Sequence, residues 1–206
     1  MPFRTLLAAS LLSGLLPLTS QAQTVPVSSR FYVGVGANML SNVPFKDQGA
    51  VPRIIGPSLT AGMQLTPRLA VQAGLSYHQK NETYEYLFAG PGIASTIKAK
   101  YFLVPVLARY TVTEPTARFH FDVLGGATLI HATSHISYTS SAYESDNADT
   151  RFNLSVGPAV RAALSSHFEL TASGLVSATV GDSYYEFSDR LFLNTSIGVN
   201  YTFGSR

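Results

Sequence analysis

The stretch Leu191-Phe192-Leu193-Asn194-Thr195-Ser196-Ile197-Gly198-Val199-Asn200-Tyr201-Thr202-Phe203 decides the fold. In an extended chain successive side chains point to opposite faces. Leu191, Leu193, Thr195, Ile197, Val199, Tyr201 and Phe203 therefore share one mostly oily face, against Phe192, Asn194, Ser196, Gly198, Asn200 and Thr202. The same alternation sets Phe152, Leu154, Val156, Pro158, Val160, Ala162 and Leu164 against Asn153, Ser155, Gly157, Ala159, Arg161 and Ala163. It recurs at 69–78 and 55–65, where Gly, Ser, Thr and Gln again stand opposite the large apolar residues.

A soluble sandwich also alternates, but it turns its oily face inward and solvates the outside with Lys, Glu, Asp and Arg. Of the 206 residues, 46% are hydrophobic and only 13% charged, about half the charged share usual in soluble domains. Too few charges remain to coat a sandwich. The inverse arrangement fits, with apolar side chains facing lipid and small polar ones filling a narrow interior. Beyond residue 22 no apolar run approaches the roughly 18 residues of a spanning helix. In hydrocarbon a sheet must close on itself to leave no unpaired edge.

Strands are expected at Arg30–Met39, Ile54–Leu65, Leu69–Gln79, Thr96–Val112, Arg118–Thr133, Arg151–Leu164, His167–Val180 and Arg190–Phe203. They predict an all-β fold, an eight-stranded antiparallel transmembrane β-barrel with up-and-down meander order. Short links (Thr66–Arg68, Thr113–Thr116, Ser165–Ser166) alternate with long ones (Pro44–Gly49, Asn81–Gly92, His135–Thr150, Gly181–Asp189). That is the pattern of periplasmic turns and extracellular loops, with both termini periplasmic. Phe31, Tyr110, Phe119, Phe121, Phe168, Tyr201 and Phe203 fall at the turn ends of strands. Tyr77, Tyr101, Phe102, Phe152, Tyr184, Tyr185 and Phe192 fall near the other ends, as two interfacial girdles require.

The first segment is an address. Arg4, an apolar stretch from Leu6 to Leu18 and Ser20-Gln21-Ala22 form a signal-peptide pattern. The stretch is too short to span a membrane and Pro17 interrupts it. The expected division is a signal peptide at 1–22, a periplasmic lead at 23–29, the barrel at 30–203 and a tail at 204–206. There is no cysteine, which excludes disulfides, thiolate metal sites and a lipidated Cys. The net charge is +2 with basic residues scattered singly, which argues against a nucleic-acid partner.

Tyr101-Phe102-Leu103-Val104-Pro105-Val106-Leu107-Ala108-Arg109-Tyr110 resembles the central strand of the outer membrane protein beta-barrel domain family, the porin-family small barrels common in the Bacteroidetes. Pro105, Arg109 and Tyr110 match that family's Pro, basic residue and Tyr, while Leu103 stands where the family often has Glu. A carboxylate partner for Arg109 must then come from another strand, with Asp122 the candidate, or be missing. Ser196 to Phe203 looks like the closing-strand signal read by the barrel assembly machinery, although Gly204-Ser205-Arg206 follow the aromatic. The resemblance implies a Gram-negative outer-membrane location.

Catalytic and metal candidates are poor. His135-Ile136-Ser137 has the His-x-Ser spacing of lipid A deacylases but falls past the fifth expected strand, in a Ser-rich loop. His78, His120, His131 and His167 stand alone, and Glu144, Asp146 and Asp149 are expected as solvated loop charges. No cofactor is expected. Arg109, Asp122, Arg161 and Glu169 are expected in the lumen as structural ties. Tyr84, Tyr86, Tyr143, Tyr184 and Tyr185 are the candidate loop aromatics for surface interaction. The partners expected are outer-membrane lipid and lipopolysaccharide, plus assembly machinery and periplasmic chaperones during biogenesis, around a monomer. The sequence favours a structural or surface-interaction role over a narrow channel, and both over a lipid A-modifying enzyme.

Overall fold

The computed structural model describes residues 30–42, 53–85, 94–138, 144–181 and 190–203. The expected signal peptide, lead and tail lie outside the described residues, as do Tyr86, Tyr143, Tyr184 and Tyr185. Eight antiparallel strands form a closed barrel in sequence order: β1 Arg30–Asn42, β2 Ile54–Gln64, β3 Leu69–Glu85, β4 Ala94–Thr111, β5 Phe119–Tyr138, β6 Glu144–Ala163, β7 Phe168–Thr179 and β8 Leu191–Thr202. β8 pairs with β1 from Tyr32↔Thr202 to Asn42↔Phe192, so no strand edge is left unpaired along the seam.

The register sets the dimensions. Partners followed around the wall from Tyr32 run through Gly62, Gln72, Leu107, Gly126, Ser155, Ser177 and Phe192, and return to β1 at Asn42. Position 32 thus meets position 42 on the same strand, a stagger of ten residues. For eight strands this tilts the chain about 40° from the axis and leaves room only for side chains inside.

Side chains sort by phase. Val35 is 64% exposed, Ile55 70% and Phe119 70%, whereas inward Leu103, Asp122 and Asn153 are 0%. Phe119 to Leu129 on β5 is an outward apolar run; at ~3.4 Å per residue and ~40° tilt it is roughly 26 Å tall, the height of a bilayer-facing band. The turn-end aromatics Phe31, Tyr110, Phe119, Phe121, Phe168, Tyr201 and Phe203 all point outward. Tyr201 stacks edge-on against Phe168 and Phe203, with ring centres 5.2 and 5.0 Å apart. At the other end Tyr77 and Phe102 meet at 5.0 Å. Phe192 and Tyr101 depart from the girdle expected of them: they share the inward phase, with Phe192 2% exposed and Tyr101 packed on the lumen cluster.

Pro105 lacks an N–H, and the β3–β4 ladder skips from Ala73↔Val106 to Ser76↔Leu103 at that point. Gly74 lies opposite, where a Cβ would stand 2.9 Å from the Pro105 ring. The missing side chain makes room for the proline inside the wall.

Strands extend beyond the sequence pattern at the end away from the short turns, β1 to Asn42 and β4 from Ala94 by two or three residues and three others by more. β3 runs to Glu85, β5 to Tyr138, and β6 begins at Glu144. The expected loop at 135–150 is therefore mostly strand, and His135, Ser137, Asp146 and Asp149 lie on β5 and β6.

Candidate functional site

The lumen is built in layers, starting from the end with short turns. There Arg161 from β6 gives its Nε to Asp122 Oδ2 at 2.6 Å, a second nitrogen to Asp122 Oδ1 at 3.2 Å, and a third to Glu169 Oε2 at 3.0 Å. Thr111 donates to Asp122 Oδ1 at 2.7 Å and accepts from Arg161 at 3.2 Å. One guanidinium thereby ties β4, β5, β6 and β7 together, using the forked geometry that lysine lacks.

Arg109 stands apart from this cluster. Asp122, the partner expected for it, is occupied by Arg161. Arg109 instead donates to Gln64 at 3.0 Å and lies 4.8 Å over the ring of Tyr32, whose hydroxyl donates to Gln72 at 3.0 Å. Its Nε has no partner among the described residues. The physical reason is competition for one carboxylate, because Arg161 closes on both oxygens of Asp122.

Above the charges, Leu107, Leu124, Ala159 and Leu175 from four successive strands form an apolar cluster on one side of the bore, facing Asn38, Thr60, Gln72 and Ser196 on the other. A layer of small polar groups follows, in which Thr128 bonds Ser155 at 2.8 Å and Ser155 bonds Ser177 at 2.7 Å. Asn38 donates to Asn194 across the seam, and the His78 ring meets the Asn38 carbonyl at 3.1 Å. Leu40, Ile54, Leu103, Ile130 and Phe192 then form a second apolar plug. Two cavities beside the first apolar cluster are about 50 Å³ each, room for a water or two.

Beyond the plug, β3–β6 continue past the aromatic positions. Tyr84 lies on β3 rather than in a loop, and its hydroxyl donates to Glu82 at 2.8 Å. Lys80 bonds the same carboxylate at 2.5 Å. Lys80 first and Tyr84 second hold the Glu82 carboxyl below the usual range. His135 Nδ1 is 2.7 Å from Asp146 Oδ1 on the neighbouring strand, a pairing that depends on the β5–β6 register. Ser137 lies two residues along β5, roughly 7 Å away, and no bond joins it to His135 among the described residues. No three His, Asp or Glu side chains gather into a metal site among the described residues.

Residues 6–203 match the model of the family described as the outer membrane protein beta-barrel domain. Among solved structures, a major outer membrane protein from Thermus thermophilus is similar with a TM-score of 0.59 at 14% identity, over 85% of this chain and 100% of that one. OprG from Pseudomonas aeruginosa gives 0.56 at 12% identity, over 86% and 97%. Ail, the attachment invasion locus protein of Yersinia pestis, solved with the heparin analogue sucrose octasulfate, gives 0.53 at 15% identity, over 85% and 97%. At these identities the likeness is one of fold. No curated protein matches the sequence.

Proposed function

Since the chain belongs to the outer membrane protein beta-barrel domain family, we propose that it is a closed, non-catalytic barrel that reinforces the envelope and holds an interaction surface outside it. The observation that carries this is a lumen filled by side chains, with apolar clusters at Leu107, Leu124, Ala159 and Leu175 and at Leu40, Ile54, Leu103, Ile130 and Phe192, and with cavities of only about 50 Å³ beside the first. A hydrated ion would have to shed its water to enter spaces of this size. The short-turn end faces the periplasm and the opposite end the exterior, as in barrels whose short turns are periplasmic. Tyr84, on the outer part of β3, then belongs to the external surface.

The test is planar-bilayer recording of the refolded protein. A flat baseline is expected, and regular conductance steps would replace this reading with that of a narrow channel. Incubation with lipid A followed by mass spectrometry addresses catalysis. Unchanged acyl composition is expected, and loss of an acyl chain would make the His135–Asp146 pair a candidate site.

A further inference from the structure

Phe102 on β4, Leu129 on β5 and Phe152 on β6 are the last large apolar side chains on the outward faces of three adjacent strands. The same face of β4 continues with Lys100 and Lys98, two and four residues further out, both exposed. At ~3.4 Å per residue and ~40° tilt, these sit roughly 5 and 10 Å above Phe102. Lys100 is paired in register with Thr133 and Lys98 with His135. Together with Asp146 and Asn147 they line a groove of about 520 Å³. Asp146, the carboxylate in that groove, is engaged by His135, and neither lysine has an acidic partner among the described residues.

We infer that this face is a binding site for a phosphorylated lipid headgroup of the outer leaflet, with the lipid's acyl chains on the apolar strip below and its phosphate between Lys98 and Lys100. Two features single out a lipid over a free anion. The cations stand at headgroup height, and the surface beneath them, from Val104 and Leu129 to Leu154, is exposed and oily without interruption. One molecule with a charged head and several chains satisfies both halves; a free phosphate satisfies one. A lysine at the membrane surface is worth about a fivefold gain toward an anionic headgroup, and two about thirtyfold.

The inference rests on the membrane-barrel reading, and the experiment separates the two. Protein refolded in neutral detergent is first checked for heat-modifiable gel mobility, then titrated by native mass spectrometry with bisphosphorylated lipid A and with the same lipid dephosphorylated. One retained bisphosphorylated lipid per chain is expected. Binding should weaken roughly thirtyfold in Lys98→Gln/Lys100→Gln, hold in Lys98→Arg/Lys100→Arg, and hold in the charge-matched Arg68→Gln/Arg118→Gln at the turn end. Equal retention of the dephosphorylated lipid, unchanged binding in the glutamine pair, or displacement by millimolar inorganic phosphate would each overturn the site. Should the glutamine pair not refold, the two single variants decide, each expected to weaken binding about fivefold. Absence of the mobility shift in the parent protein would refute the barrel itself.

Discussion

Arg161 and Arg109 occupy one lumen and carry one charge each, yet their surroundings differ. Arg161 is bound by two carboxylates and a threonine; Arg109 has an amide, a tyrosine ring and an unpartnered Nε. Removing one member of a buried ion pair strands the other and costs about 3–5 kcal/mol. Arg161→Met should therefore lower stability by that order in urea unfolding from lipid vesicles. Arg109→Met leaves no dedicated carboxylate behind and should cost about 1 kcal/mol. Equal losses would show that the lumen charges act as one undivided cluster. Strand phase alone placed all four charges inside. It left the partner choice open, because Asp122 faces Ala159 in register and reaches Arg161 only diagonally, a relation no single strand displays.

At the scale of elements, the closing pair of strands is the most exacting contact. Gly36 and Gly198 are register partners on the inner wall of the seam. A Cβ on Gly36 would collide with the Ile197 carbonyl, and one on Gly198 would stand 2.7 Å from the Val35 carbonyl. Gly36→Val should sharply reduce the fraction that shows heat-modifiable mobility after refolding, whereas Val35→Leu, one residue away on the lipid face, should refold normally. Equal refolding of the two would contradict this account of the seam. The strands were legible wherever one face met lipid and the other the lumen. Legibility stopped at Gln79 on β3 and Thr133 on β5, because further out both faces are wet and the period-two contrast vanishes. Lys80-Asn81-Glu82-Thr83 reads as a loop by composition, yet it is strand, paired residue by residue to β4.

The eight strands form a tube with its oil outside and its polar groups within, filled by side chains that include two apolar clusters. Export should release Met1 to Ala22, so N-terminal sequencing of the membrane-extracted protein should begin at Gln23; a chain retaining Met1 would contradict the signal assignment. The central claim is the inversion itself, and the absence of cysteine makes it directly measurable. Single cysteines at Leu154, Ser155, Val156, Ala159 and Val160, spin-labelled in lipid vesicles, report collision with oxygen, which concentrates in lipid, and with a water-soluble nickel chelate. The account predicts high oxygen and low nickel accessibility at positions 154, 156 and 160, falling to low oxygen accessibility at 155 and 159. Nickel access at 154, 156 and 160 comparable to a fully solvated site, or a profile without period two, would contradict it.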